Sequence, residues 1–243
     1  MLTARNIDKT LGDRKILSGA DLSVEPGKIT VVIGPSGGGK TTLLRAVSLI
    51  DPPDRGVVTV DGEEYTFPAA SLALASPPWP KVTAVFQQLF LWPHLTLRQN
   101  IELPIKFSAS PVRAARRLEE LVTSFDMKEF MDRYPNQASL GQRQRVALAR
   151  ALVLEPKYLM LDEITSSLDV EQVAAILAHL RLLRDNGVGL MVITHLLGFA
   201  RSAGDEVVFL EEGKVIESGD KDILANPTNE RVRGFLSLIQ AVS

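Results

Sequence analysis

The sequence predicts an α/β protein: a parallel sheet covered by helices, with an antiparallel β portion near its start and a mostly helical insertion in its middle. Three observations carry this. Leu159-Met160-Leu161 and Leu190-Met191-Val192-Ile193 are apolar at every position, as strands buried on both faces are. Early in the chain, short β-like runs alternate with turn signals, whereas helical patterns dominate from about Leu95 to Leu154. Strand and helix then alternate to the end.

The elements follow in order. "LTARNID", "ADLSV" and "KITVVIG" read as strands, and "GVVTVDGEEYTF" as a hairpin turning at Asp61-Gly62, a pair that tolerates positive φ. The Pro-rich "ASPPWPK", residues 75–81, predicts a rigid surface loop. Beyond the helical region come the strand "KYLMLD", a helix from about Val170 to Arg184, the strand "VGLMVIT", a short helix, and "EVVFLEEGKVIESG". The expected organisation is a core of residues 1–86 and 155–243, interrupted at about 87–154 by a helical subdomain.

Composition narrows the function classes. The 243 residues are 45% hydrophobic, enough for one large domain with an insertion. Lys+Arg number 27 and Asp+Glu 29, so a net charge of -2 gives no overall attraction to nucleic acid. With Cys at 0, disulfides and thiolate–zinc sites are excluded, and His94, His179 and His195 do not cluster. No run approaches the roughly 18 apolar residues of a membrane span. "MLTARNIDKT" carries charges where a secretion signal needs an apolar centre, so a cytosolic chain is expected.

The strongest chemical signal is "VVIGPSGGGKTTLL". An apolar strand leads into Gly34-Pro35-Ser36-Gly37-Gly38-Gly39-Lys40-Thr41-Thr42, and a helix follows. This is the phosphate loop in its strand–loop–helix setting. Backbone N–H groups curl around phosphates and the helix adds its positive end. Lys40 is expected on the β- and γ-phosphates of ATP, and Thr41 on Mg²⁺.

A second signal is "YLMLDEITSSLD". Asp162 and Glu163 end a buried strand, where open α/β sheets bind ligands. Neighbours on an extended chain point apart, which assigns them different tasks. Asp162 is expected to hold Mg²⁺, directly or through water, and Glu163 to polarise the attacking water as general base. The plainer alternative is a cap and first-turn acid of the next helix.

The third signal is "NQASLGQRQRVALAR". Ser139 with Gln142 fits a capping box at a helix start. Arg143, Arg145 and Arg150, with no acid among them, supply more positive charge than a cap requires, which favours an anion site.

Phosphate loop, helical insertion, "SLGQRQRVALARAL" and "LMLDEITSSLD" follow one another as in the ATP-binding subunits of ABC transporters, which the chain resembles along its whole length. The resemblance implies a nucleotide-hydrolysing core of ABC type with an antiparallel β subdomain and a helical insertion. It implies a head-to-tail dimer, of this chain or with a related ATPase subunit, in which Ser139, Gly141 and Gln142 of one chain cap the ATP of the other. It places Gln87 on the loop that reaches Mg²⁺ and the attacking water, and His195 at the γ-phosphate. It places Asp169 across the dimer interface, unless it only caps the next helix, and Leu11 at the adenine. It also implies an integral-membrane permease, indirectly a solute-binding protein, and a place on the cytoplasmic face of the membrane.

"FQQLFLWPHLTLRQNI" and "ILANPTNERVRGFLSLI" resemble importers of polar amino acids, with no additional C-terminal regulatory domain expected. The alternatives are a soluble ABC-type ATPase or a slow nucleotide-dependent regulatory module. Four positions depart from the family pattern: Leu140 for Gly, Leu11 for an aromatic residue, Ile164 for Pro, and Leu196 for an acid. If Leu140 sits at positive φ it costs about 1–2 kcal/mol. In "FLWPHL", Leu91, Trp92 and Leu95 are expected either to fill the insertion's own core or to line a groove for a permease helix.

Overall fold

The computed structural model describes residues 1–68, 77–164 and 170–242. Ten strands and seven α-helices are described: β1 (Leu2–Leu11), β2 (Arg14–Val24), β3 (Ile29–Ile33), α1 (Lys40–Val47), β4 (Arg55–Val60), β5 (Glu63–Phe67), β6 (Val82–Val85), α2 (Leu97–Glu102), α3 (Pro111–Ser124), α4 (Leu140–Leu152), β7 (Tyr158–Asp162), α5 (Val170–Asp185), β8 (Gly189–Ile193), α6 (Leu197–Ala203), β9 (Glu206–Glu211), β10 (Lys214–Asp220) and α7 (Glu230–Val242).

Two sheets form. The larger has the order β10-β9-β3-β8-β7-β6, with only β10 antiparallel to its neighbour. The smaller is antiparallel, β2-β1-β4-β5. Strands β3, β7 and β8 are buried at every residue. Their alternate side chains enter two different cores. Val31, Leu159, Leu161, Leu190 and Val192 pack with the helical insertion, α5 and α6. Val32, Met160 and Met191 pack with α1 and the antiparallel sheet. Such strands cannot show a polar–apolar alternation, because neither face meets water.

β1 and β2 run longer than their sequence patterns suggest. Burial in β1 falls on Leu2, Ala4, Ile7 and Lys9, so the two-residue period slips once. The slip falls between Ala4 and Ile7, where Asn6 has φ 52, and a second irregularity follows between Ile7 and Lys9, where Gly19 of β2 has φ 66. Bulges of this kind bend the ladder and hide its periodicity. Lys9 buries its stem and donates at 2.6 Å to both Asp51 Oδ1 and the Pro52 carbonyl. The β4–β5 turn falls at Asp61-Gly62, with φ 51 and 87. β6 and α7 are found where no strand or helix was expected. The predicted loop 75–81 lies partly outside the described residues, and Trp79 within it is exposed.

In the insertion, α3 buries Ala114, Leu118, Leu121 and Val122, the i, i+4, i+7, i+8 stripe of an amphipathic helix. α4 buries nearly its whole apolar length against it, Val146 to Ala149 included.

Asp61 joins the antiparallel sheet to β7. Its carboxylate accepts from the Tyr158 hydroxyl at 2.6 Å, from Lys157 Nζ at 2.8 Å and from the chain's amino terminus at 2.9 Å. The Lys157 and Tyr158 bonds hold its carboxyl far below the ordinary range. That contribution is present above the unfolded carboxyl pKa and is lost only as pH falls through the lower folded value. Asp61→Asn keeps a residue that tolerates positive φ and removes the charge. It is expected to lose about 1–2 kcal/mol at pH 7. In urea melts the gap from wild type should narrow only in strong acid; a gap already closed at pH 4 rejects the assignment.

Candidate active site

Four strand ends of the large sheet meet at one edge. β3 runs into the glycine loop 34–39, and Asp162 ends β7 with Glu163 next. His195 lies two residues beyond β8, and Gln87 two residues beyond β6. Parallel pairing of β6, β7, β8 and β3 makes this one carboxyl edge, the ligand edge of open α/β sheets.

The loop's shape is forced by contact with neighbouring backbone. Gly34 has φ 145, and a Cβ there would stand 2.0 Å from the Leu210 carbonyl oxygen of β9. Gly39, at φ 99, turns the chain into α1 while pressed on the Ile16 carbonyl and the Leu17 side chain of β2. α1 then starts at Lys40 with no side-chain cap. Its first-turn amides are left for a ligand, as at any helix start. Lys40 Nζ folds back and donates to the carbonyls of Gly34 and Pro35, each at 2.9 Å. Burial pulls the Lys40 ammonium down, and nearby Glu163 and Asp162 push it up. A polyanion in the loop supplies the countercharge these carbonyls cannot.

Asp162 is 5% exposed. Burial pushes its carboxyl up, against the lowering effect of the Thr41 hydroxyl bonded to it; Glu163 raises it further, and Lys40 and Arg45 lower it. Its Oδ1 is buried without a hydrogen-bond partner. An orphaned carboxylate oxygen beside a hydroxyl is a hard, sparse donor set. That suits Mg²⁺, which takes one or two protein oxygens and completes its shell from water and phosphate. Among the described residues no cluster of three or more acids or histidines could hold a metal alone.

Glu163 is not extended: its φ is 50. A left-handed non-glycine residue costs about 1–3 kcal/mol and persists where surroundings impose it. Its N–H donates to the Ile193 carbonyl at 3.0 Å, and its Oε1 meets His195 Nε2 at 2.5 Å. The divergence of Asp162 and Glu163 thus comes from a backbone reversal and not from strand alternation. Gln87 is exposed at the same edge. Leu11, 48% exposed, ends β1 at the hairpin whose β2 strand braces Gly39. Asp169 lies outside the described residues.

Ser139 and Gln142 do form the capping box. The Gln142 N–H donates to Ser139 Oγ at 3.2 Å, and the Ser139 N–H to Gln142 Oε1 at 3.0 Å. Among the described residues no hydrogen bond joins 139–142 to the loop 34–42. Leu140 is the first residue of α4, on the negative-φ side, so the expected backbone penalty is absent. Ile164 is buried in the core, and Leu196 precedes α6 with its N–H on Thr194 Oγ1.

Two of the three arginines direct their donors to carbonyls away from the helix start, while the Arg143 Nε is buried without a hydrogen-bond partner. Arg145 donates to the carbonyls of Phe125 and Asp126, at 2.9 and 3.1 Å, and lies over the Phe130 ring. Arg150 donates to the carbonyls of Leu89 and Phe90. Absence of acids in the helix reflected carbonyl partners elsewhere. Arg45 was missed altogether: it sits 5.2 Å from the Phe86 ring centroid and acts on Asp162. A basic residue among Leu43, Leu44, Ala46 and Val47 was the available signal.

Residues 17–166 match the family model described as ABC transporter. The glutamine transport ATP-binding protein GlnQ of Bacillus subtilis is 38% identical over 242 residues, covering 98% of this chain and 99% of that protein. The arginine transport ATP-binding protein ArgV of Corynebacterium glutamicum is 39% identical over 247 residues, covering 98% and 97%. A dimeric post-hydrolysis ATP-binding cassette, MJ0796, bound to ADP and phosphate, superposes with a TM-score of 0.80 at 31% identity, over 91% of this chain and 99% of that one. Fold and site define a nucleotide-binding cassette with a phosphate loop. The chain belongs to the ABC transporter family, as one of its ATP-binding subunits.

Asp162→Asn removes a charge held out of water. A carboxyl pushed up by burial binds its proton more tightly folded than unfolded, so its ionised form lowers stability as pH rises. Without nucleotide, the variant is expected to melt about 2–4 °C higher at pH 7, the equivalent of about 1 kcal/mol in a chain this size. Calorimetry showing an equal or lower Tm contradicts this.

Proposed function

We propose that the chain is the ATP-hydrolysing subunit of a membrane importer for polar amino acids or similar small solutes, working through ATP-driven head-to-tail pairing. The observation that carries the reading is the convergence of Lys40, Thr41, Asp162 and the Glu163–His195 pair at one sheet edge. The solute class rests on the likeness to glutamine and arginine transport subunits.

Residues 34–42 cradle the triphosphate, with Lys40 released from its own loop carbonyls onto the β- and γ-phosphates. Leu11 lies beneath the adenine. Thr41 and Asp162 would hold Mg²⁺, which would supply positive charge against that developing on the triphosphate. Glu163 accepts the proton of the attacking water while His195 fixes the carboxylate and reaches the γ-phosphate. Gln87 closes the site from the end of β6. Ser139, Gly141 and Gln142 serve the second chain's nucleotide, and Asp169 steadies the joint. Each ATP thus takes half its walls from each chain, through one surface used twice.

The membrane partner fits a groove of about 540 Å³ lined by Leu49, Ile50, Trp79, Leu103 and Phe107, at the boundary between core and helical insertion. Ile50, Trp79 and Phe107 are exposed there, as are Phe90 and Trp92 nearby in sequence to Gln87. Leu89 and Leu91 pack inward. In "FLWPHL", Leu91 packs against the core while Phe90 and Trp92 stay exposed and would be free for the same partner. A solute-binding protein is the expected outer partner of the permease.

Glu163→Gln is expected to bind ATP, lower kcat by about 10²–10⁴-fold and accumulate as a dimer. Gel filtration with Mg²⁺ATP showing monomer alone refutes the pairing. Phe107→Glu, at a side chain 71% exposed, is expected to keep its Tm and lose co-purification with the permease. Retained co-purification removes the groove from the interface.

A further inference from the structure

The segment from Phe86 to Trp92 carries Gln87, and three buried or half-buried polar side chains grip it. Arg45, on the helix that leaves the phosphate loop, lies over the Phe86 ring at 5.2 Å. Arg150, in the last turn of α4, donates from two nitrogens of its guanidinium to successive carbonyls, Leu89 and Phe90, each at 2.7 Å. Asn100, fully buried on α2, accepts the Trp92 N–H at 2.7 Å and donates to the Trp92 carbonyl at 3.2 Å. The Phe86 and Phe90 rings meet edge to face at 5.9 Å, closing the segment on itself.

Arg150 is the costly member. Burial alone pulls its guanidinium down, with no carboxylate opposing it. A cation held this way loses hydration and recovers it only through the bonds it makes. Its planar fork suits two adjacent carbonyls, which a single ammonium does not match. The other end of the same rigid helix is Ser139, roughly 16 Å away at 1.5 Å per residue.

We propose that Arg150 is a positioning residue for hydrolysis: by holding the Leu89 and Phe90 carbonyls, it sets where Gln87 stands and ties that position to the helix that begins at Ser139. The inference rests on the ATPase reading above. ATP binding depends on residues 34–42 and is untouched by Arg150. What the fork controls is the share of time Gln87 spends at the water and metal.

The test is steady-state ATP hydrolysis by the purified full chain, with Arg150→Lys made alone and in a Gln87→Ala background. Alone, it is expected to lower kcat about tenfold, as loss of a charge-assisted bond does, and to leave KM for ATP within about twofold. With Gln87→Ala already present, Arg150→Lys is expected to change kcat by less than about twofold, because residues acting through one another are not additive. Arg150→Gln, which removes the buried charge and keeps one donor, repeats the cycle should the lysine variant melt early. An equal kcat loss in both backgrounds, a loss in KM instead of kcat, or unaltered kcat overturns the proposal. A wild-type chain that hydrolyses no ATP overturns the functional reading first, and this inference with it.

Discussion

Opposite charges carried out of water by strand pairing are the condition on which the site depends. Lys40, opening α1 after β3, and Asp162, ending β7, are both nearly buried, at 6% and 5% exposure, at the same edge of the large sheet with β8 between their strands. Neither is well served by the protein alone. Lys40 leans on two carbonyls of its own loop, and Asp162 keeps an unpartnered oxygen. In a low-dielectric edge each such deficit is expensive, and the proposed magnesium–triphosphate ligand would meet both together. The surroundings are correspondingly stiff. β9 fills the space behind Gly34, β2 braces Gly39, and β8 holds Glu163 in a left-handed turn through the Ile193 carbonyl. Stability spent on two strained or desolvated groups is recovered in two cores that share the same strands.

Much of this was legible in the sequence because its causes are local. The phosphate loop is a contiguous string of letters, legible as a motif even though the contacts that demand Gly34 and Gly39 come from β9 and β2. The buried parallel strands announce themselves as apolar runs, and Asp61-Gly62 as a turn. What stayed hidden depends on partners distant in the chain. β6 is four residues long and offers no period to read. β1 conceals its alternation behind the bulge at Asn6. The pairing of Glu163 with His195 joins the ends of two strands and follows from their register, which no linear motif states. Arg145 and Arg150 of α4 were misjudged for the same reason. Their partners are backbone carbonyls in loops, and carbonyls have no letter in a sequence.

The helix start at Ser139 shows how a plain structural feature and a functional one coexist. The capping box uses the amides of Ser139 and Gln142 and the inner sides of both polar groups. It does not use the amides of Leu140 and Gly141, which lie at the N-terminus of a helix without an acid in its first turn. Those amides retain the partial positive charge of an uncompensated helix end. The box therefore fixes the direction of the helix, and the proposed anion site would use what the box leaves over.

The same geometry explains why Leu can stand at position 140. A glycine is demanded only where φ is positive or backbone presses close, and Leu140 meets neither condition. It is half-buried in ordinary helical conformation at the first helical position. Gly141 is the tighter site: a Cβ there would come within 2.8 Å of Gln172 Oε1 on α5. Substitution one residue later would displace the end of the flexible Gln172 side chain. The sequence thus relaxes glycine at position 140, where neither φ nor a close contact calls for it. A motif that departs from its family by one letter can in this way retain the backbone on which its chemistry rests.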